Sequence, residues 1–247
     1  MRYIKILTLV MLAGLATQTA FGRTQDSDAK RAAELQDKVY HSKVFNHGQV
    51  ATTLENGVAT LTGTVDNLGA KLDAERAARK TEGVTRVVNN IQVRADDVTE
   101  KQILEKARHE ILMYYAYGIF DNINLAAQGD KLMVSGQVTE PYKKSDIGNF
   151  LTRVRGVAEV ENHLEVLPLS TFDDSLRLAV ARAIYGDPFF VHYAARSLPP
   201  IHIVVKNGNV ALEGAVATKL DSAKAEMAAR TAGLSFAVVN NLRVDRS

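Results

Sequence analysis

The stretch NGNVALEGAV, Asn207–Val216, alternates like a β-strand but carries a glycine, Gly214, two residues before its end. The Asn-Gly pair at its start is a typical signal of a tight β-hairpin turn. Related stretches occur earlier, as NGVATLTGTV (Asn56–Val65) and GDKLMVSGQV (Gly129–Val138). Gly63, Gly136 and Gly214 therefore mark the same point of a hairpin that recurs three times.

Two further landmarks follow each hairpin in the same order. A second glycine comes 19 or 20 residues later, in TEGV, VRGV and TAGL, as Gly83, Gly156 and Gly233. A strand-like segment then closes each copy, as VVNNIQV, VENHLEV and VVNNLRV. Three landmarks recurring at near-constant spacing indicate three tandem copies of one structural unit.

Each copy contains two predicted helices and three predicted strands. A leading helix is expected over Ala29–Tyr40, Val98–Tyr115 and Asp174–Tyr185, followed by the hairpin. The segment between the two glycines predicts a crossover helix. Its inner face reads Ala77/Ala78/Thr81, Phe150/Leu151/Val154 and Met227/Ala228/Thr231. Because a helix then joins two parallel strands, the predicted fold class is α+β: three αββαβ modules, each a three-stranded mixed sheet packed against two helices.

The six glycines are expected to be structural. A side chain at Gly63, Gly136 or Gly214 would collide with the crossover helix or the neighbouring strand. Gly83, Gly156 and Gly233 are expected to end the crossover helices in a left-handed conformation.

The N-terminus predicts export. Arg2 and Lys5 precede an apolar run from Ile6 to Ala16 that is too short to span a bilayer, and small residues follow. This layout predicts a cleaved signal peptide over residues 1–22 and a periplasmic or secreted protein. Its removal leaves 28 basic residues against 28 acidic ones, so the basic excess typical of nucleic-acid binding is absent.

The repeat resembles the BON domain, a small module of bacterial envelope proteins. The resemblance is carried by V-x-L-x-G-x-V (Val210–Val216), by Gly-Val before the last strand (Gly83-Val84, Gly156-Val157), and by the closing V-x-N-x-[IL]-x-V (Val160–Val166). It covers nearly the whole chain after the signal, as domains over 27–95, 97–168 and 171–247. The third copy departs slightly, since Leu234 follows Gly233.

No residue pattern predicts catalysis, a metal site or a cofactor. The six histidines form no closely spaced ligand group, and no nucleophile elbow or glycine-rich phosphate loop occurs. Asp173 and Asp174 stand where acids favour or cap a helix start. Lys143-Lys144 and Arg153/Arg155 are typical of a solvated basic helix face. The chain is therefore expected not to be an enzyme.

Aromatic residues mark a candidate surface in the third copy. Tyr115, Phe120 and Tyr193 are expected to close small cores. Phe189 and Phe190 are adjacent and cannot both point inward easily, so one is expected at the surface near Arg182 or Arg196. Residues 171–247 carry a net charge of +2 and residues 97–168 carry −3. The candidate lipid or partner surface is therefore Arg182, Phe189, Phe190 and Arg196.

The BON resemblance implies a non-enzymatic envelope protein that binds anionic phospholipid or membrane surfaces, with a role in envelope integrity or osmotic-stress protection. The alternative is a protein-interaction or chaperone-like module of an envelope or secretion assembly, because BON units also occur on secretins and channels. Neither reading involves nucleic acid.

Overall fold

The computed structural model describes residues 28–42, 44–94, 96–233 and 235–245. The chain divides into two compact units, residues 1–96 and 97–247. The signal peptide predicted over residues 1–22 lies outside the described residues.

The first unit holds one αββαβ module. Residues 28–41 form helix α1. The later elements are β1 (Gly48–Glu55), β2 (Val58–Val65), α2 (Leu68–Arg79) and β3 (Arg86–Val93). Strand β2 is central, antiparallel to β1 and parallel to β3. The core of this module lies between the two helices and the sheet. It contains Leu35 and Val39 of α1, Ala74 and Ala78 of α2, Leu61 of β2 and Ile91 of β3.

The second unit holds two more modules of the same topology. Module 2 comprises α3 (Glu100–Leu112), β4 (Asn122–Gln128), β5 (Lys131–Val138), α4 (Pro141–Leu151) and β6 (Glu159–Val166). Module 3 comprises α5 (Thr171–Tyr185), a 3₁₀ turn (Pro188–Phe190), α6 (Val191–Ala194), β7 (Ile201–Lys206), β8 (Asn209–Val216), α7 (Lys219–Thr231), β9 (Ala237–Asn240) and β10 (Arg243–Val244). The predicted α+β class and the αββαβ order are confirmed in all three modules.

The hairpin glycines are required by the neighbouring strand. Gly63, Gly136 and Gly214 have φ angles of 124°, 121° and 109°. A Cβ atom there would lie 2.0–2.1 Å from the carbonyl oxygen of Gln49, Asn122 or Pro200, each within one residue of the start of the partner strand. The neighbouring strand, and not the crossover helix, is therefore what excludes a side chain at these glycines. The glycine also lies inside the strand, two residues before its end, rather than at its junction with the helix.

The second set of glycines is only partly equivalent. Gly83 and Gly156 are left-handed, with φ of 81° and 90°, whereas Gly233 is not left-handed. All three follow the helix ends by two to five residues, so the prediction that they terminate the crossover helices is wrong.

The predicted inner face of the third crossover helix is wrong. It is counted back from Gly233, which lies 19 residues after the hairpin glycine instead of 20. Ala78, Leu151 and Val154 are buried as expected, but Met227 is 67% exposed and Thr231 is exposed. The buried apolar residues of α7 are Ala225 and Ala229, which match Ala74/Ala78 and Ile147/Leu151 when the copies are aligned on the hairpin glycine.

One asparagine per module ties the closing strand to the crossover helix. The side-chain amides of Asn89, Asn162 and Asn240 donate to the carbonyls of Lys71, Lys144 and Ser222, at 3.1, 2.8 and 3.2 Å. Each Oδ1 accepts the backbone N–H two residues further on. This asparagine is the N of the closing motif. Its one side chain gives a helical carbonyl a second donor and a strand N–H an acceptor.

Gly136→Ala tests the close approach of the hairpin strands. We expect it to lower the free energy of unfolding by about 3 kcal/mol, because the new methyl group meets a backbone carbonyl and the φ angle is strained. Gly118→Ala is the matched control, since its added Cβ would meet nothing within 4 Å. Urea denaturation that gave both variants the same stability would contradict this account.

Asn162→Ala tests the tie between strand and helix. We expect the free energy of unfolding to fall by about 2 kcal/mol, because the Leu164 N–H loses its side-chain acceptor and the Lys144 carbonyl loses its second donor. Faster hydrogen exchange at the Leu164 N–H should accompany the loss. Alanine at the exposed neighbour His163 should change neither quantity, and equal effects in the two variants would remove the asparagine's special role.

Candidate functional site

The first three turns of α7 carry a basic and apolar surface in module 3. Leu220, Lys224 and Met227 follow the spacing that places side chains on one side of a helix. Leu220 is 57% exposed, and Val191, at the start of α6, is exposed as well. The Lys224 Nζ lies 4.2 Å from the centroid of the Phe189 ring, a cation–π geometry. We call Phe189, Val191, Leu220, Lys224 and Met227 the α7 surface.

The four residues of the candidate surface predicted from the sequence differ in how exposed they are. Arg182 and Arg196 are exposed, and within the described residues neither forms an ion pair. Phe189 is half-buried beside Lys224. Phe190 is 0% exposed and belongs to the core of module 3, where it stacks on Tyr193. Phe190 therefore cannot take part in surface binding in this conformation.

The expectations for the other aromatic residues met different outcomes. Tyr193 is buried as predicted, and its hydroxyl donates to Asp221 at 2.8 Å and accepts the Ala217 N–H at 2.7 Å. Phe120 is half-buried, but it packs against the core of module 3 rather than its own. Tyr115 is 89% exposed, so its predicted core role is wrong. Helix α3 ends at Leu112, and Tyr114 is the tyrosine that turns inward, onto Phe150.

Module 3 differs from its sister modules at the α7 surface. The positions equivalent to Leu220, Lys224 and Met227 are Tyr142, Asp146 and Asn149 in module 2. In module 1 they are Gly69, Asp73 and Arg76. An acid therefore stands in both sister modules where α7 has its lysine, and the basic and apolar pattern is confined to the third module.

A second exposed apolar cluster was not anticipated from the sequence. The rings of Phe172 and Phe236 stack 6.3 Å apart and both pack against Gly208 in the hairpin turn. Phe236 is largely exposed, and Leu169, in the preceding linker, is 96% exposed. Phe236 is far from Leu169 and Phe172 in the chain, so no local periodicity links the three residues. The sequence signal that could have indicated this cluster is Phe236, an isolated phenylalanine just before the closing strand.

The two predicted acids at the start of α5 have structural partners. The helix is capped by Ser170, so neither acid is the N-cap residue. Asp173 is buried and accepts the N–H groups of Asn207 and Gly208 at 2.8 and 2.7 Å, which holds the hairpin turn. Asp174 pairs with Arg177. Within the described ranges, no three His, Asp or Glu side chains form a group that could hold a metal ion.

A polar junction joins modules 2 and 3. Asp121 is buried and accepts from the Lys143 ammonium at 2.8 Å and from the Thr139 and Gly118 N–H groups at 3.0 Å. Lys143 is therefore buried in an ion pair, and the prediction that it lies on a solvated face is wrong. The paired charges are satisfied by hydrogen bonds, as burial requires.

Strand β7 of module 3 docks on this junction. The Nδ1–H of the buried His202 donates to the Asp121 carbonyl at 2.6 Å, and the Ile203 N–H donates to the Ile119 carbonyl at 2.7 Å. The His202 ring stacks on Tyr117 with centroids 5.5 Å apart. Burial holds the pKa of His202 below its ordinary value and, with Asp121 nearby, raises that of Tyr117 to about 12.

Comparison with known proteins agrees with this architecture. The BON domain family model matches residues 27–95, 100–168 and 192–246, and the chain belongs to this family. The third match omits α5, although Leu176, Val180 and Ile184 of α5 lie in the core of module 3.

Individual relatives are distant. The chain is 28% identical over 134 residues to an uncharacterized protein in the gshII 5′ region of Anaplasma centrale. The match covers 51% of this chain and 89% of that protein. Two solved structures of CdsD, a structural protein of the type III secretion system of Chlamydia trachomatis, are similar at 14% and 15% identity. Their TM-scores are 0.26 and 0.22, and they cover 85% of this chain and 92% and 96% of theirs. Likeness at this level says nothing about partners.

Within the described part of the chain, no helix is both long and apolar enough to cross a bilayer.

The His202 junction predicts a pH dependence of stability. A histidine whose folded pKa lies below its unfolded value binds fewer protons when folded, so stability is full above about pH 6.5 and is lost as pH falls through the folded pKa. His202→Asn keeps a donor for the Asp121 carbonyl but does not titrate. We expect thermal unfolding midpoints between pH 8 and 5 to fall less steeply for this variant; superimposable profiles would exclude His202 as the titrating group.

Proposed function

We propose that this protein is a non-enzymatic BON protein of the bacterial envelope that binds anionic phospholipid surfaces through its third module. The α7 surface carries this proposal, because the helix that holds a lysine over an aromatic ring also exposes Leu220 and Met227. Apolar side chains can enter a headgroup layer while basic groups stay with the phosphates. Arg182 and Arg196 would add to the attraction, at about 1 kcal/mol per basic residue near the membrane.

The proposal includes location and domain limits. Export through a signal peptide over residues 1–22 would put the mature chain in the periplasm or outside the cell, where it could contribute to envelope integrity or osmotic-stress protection. We propose domains over 27–95, 97–168 and 171–247. The third begins at 171 because α5 supplies part of the module's core.

Leu220→Asp tests the α7 surface. The change removes an apolar contact and adds a repelling charge, so we expect about 30-fold weaker co-sedimentation with phosphatidylglycerol vesicles at low salt, equivalent to about 2 kcal/mol. Tyr142→Asp is the matched control, since it occupies the equivalent helical position in module 2 and is 48% exposed. Neither aspartate should unfold its helix, because acids are favourable near a helix N-terminus.

Two outcomes would reject the lipid proposal. One is the absence of wild-type binding to anionic vesicles at low salt, where the attraction is strongest. The other is an equal loss of binding in Leu220→Asp and Tyr142→Asp.

The second candidate is a protein-interaction module of an envelope assembly, favoured by the cluster of Leu169, Phe172 and Phe236. Exposed aromatic side chains of this kind are enriched at protein interfaces. A photo-crosslinking residue at position 236 should then capture one stoichiometric envelope protein, and Phe172→Ser should abolish the capture while leaving vesicle binding intact. Loss of vesicle binding in Phe172→Ser would instead assign the cluster to the lipid surface.

A further inference from the structure

A cleft of about 410 Å³ lies between modules 2 and 3. One wall consists of Arg108 of α3, Tyr117 of the loop before β4, and Asn124 of β4. The other consists of Pro200, His202 and Glu213 near β7 and β8, with Arg243 of β10. Its volume lies within the range of small-molecule sites, which often form where two folded modules meet.

Three side chains that line the cleft have hydrogen-bond donors without a protein acceptor among the described residues. Arg108, Asn124 and Arg243 are exposed, and none has an ion pair or a side-chain hydrogen bond to another described residue. The other exposed arginines of module 2, Arg153 and Arg155, do have partners. Two unpaired guanidinium groups, which offer planar arrays of N–H donors, therefore line one cavity from opposite modules.

The acids near the cleft do not cancel this charge. Glu213, directly across the strand pair from His202, is the one acid lining the cleft, and its carboxylate accepts from the Asn241 amide at 2.6 Å. The Asp121 carboxylate is buried and held by Lys143. His202 is buried with a lowered pKa and adds no charge near neutral pH. The cleft is therefore lined by two arginines without ion pairs and by one carboxylate that already has a hydrogen-bond partner.

We propose that this cleft binds a small oxyanion-bearing molecule, such as a phosphate ester or a polycarboxylate. Carboxylate and phosphate oxygens are the acceptors that guanidinium groups bind best, often through two parallel hydrogen bonds. The side-chain amide of Asn124 supplies a further donor. Such a ligand would contact both modules at once and would stabilise the junction on which His202 lies.

This site is separate from the α7 surface, so it goes beyond the proposed lipid function. No residue of the α7 surface lines the cleft. The two proposals can therefore fail independently.

Calorimetric titration of the full mature chain with pyrophosphate and with citrate, at constant ionic strength and pH 7.5, tests the proposal. We expect saturable 1:1 binding of at least one probe. Arg108→Gln and Arg243→Gln should each weaken it about tenfold or more, the usual consequence of losing a charge-assisted hydrogen bond. Arg86→Gln, which removes an exposed arginine of module 1 outside the cleft, should bind like the wild type.

An NMR readout locates the ligand. Pyrophosphate or citrate in the cleft should shift the imidazole signals of His202 and leave those of His41, which lies in module 1, unchanged. An equal loss of probe binding in Arg86→Gln would overturn the proposal.

A vesicle arm separates a free anion from a lipid headgroup as the source of the oxyanion. If pyrophosphate and citrate fail to bind but the Arg108→Gln/Arg243→Gln double variant loses phosphatidylglycerol binding, the headgroup phosphate is the ligand and the cleft remains an oxyanion site. If the double variant binds vesicles normally and neither soluble probe binds, the cleft proposal is wrong while the α7 surface stands.

Discussion

Each module depends on a close approach between the two strands of its hairpin. A backbone carbonyl at the start of the first strand lies only 2.0–2.1 Å from where the Cβ of Gly63, Gly136 or Gly214 would stand. Glycine permits both the contact and the positive φ angle that produces it. The approach fixes how the central strand leaves the hairpin, and thus where the crossover helix begins. The buried positions of the crossover helix and the closing asparagine keep a constant distance from this point.

The asparagine of the closing motif completes what the glycine begins. Asn89, Asn162 and Asn240 lie 26 residues after the hairpin glycine in every copy and make the same hydrogen bonds. The strand that ends the module is thereby held to the helix that precedes it. Small modules bury little apolar surface, so a repeated polar tie of this kind contributes appreciably to their stability.

The modules diverge in the segment between the leading helix and the first strand. In module 2 this segment carries Tyr117, Ile119 and Asp121, which form the junction with module 3. In module 3 it carries Phe189 and Val191 of the α7 surface and Pro200 of the cleft. Recognition residues often lie on connecting segments held by a rigid scaffold. The constant sheet and helices here support variable segments in the same way.

The sequence by itself determined the repeat, the αββαβ order and the glycine requirement, because these depend on local periodicity and spacing within one copy. It also identified the third copy as the basic and aromatic one. Only the tertiary structure decided which aromatic side chains turn inward: Phe190 and Tyr114 are buried, whereas Tyr115 is exposed. It alone paired Lys143 with Asp121 and brought Arg108 and Arg243 to one cleft. These outcomes depend on contacts between residues far apart in the chain, which periodicity within a single copy does not encode.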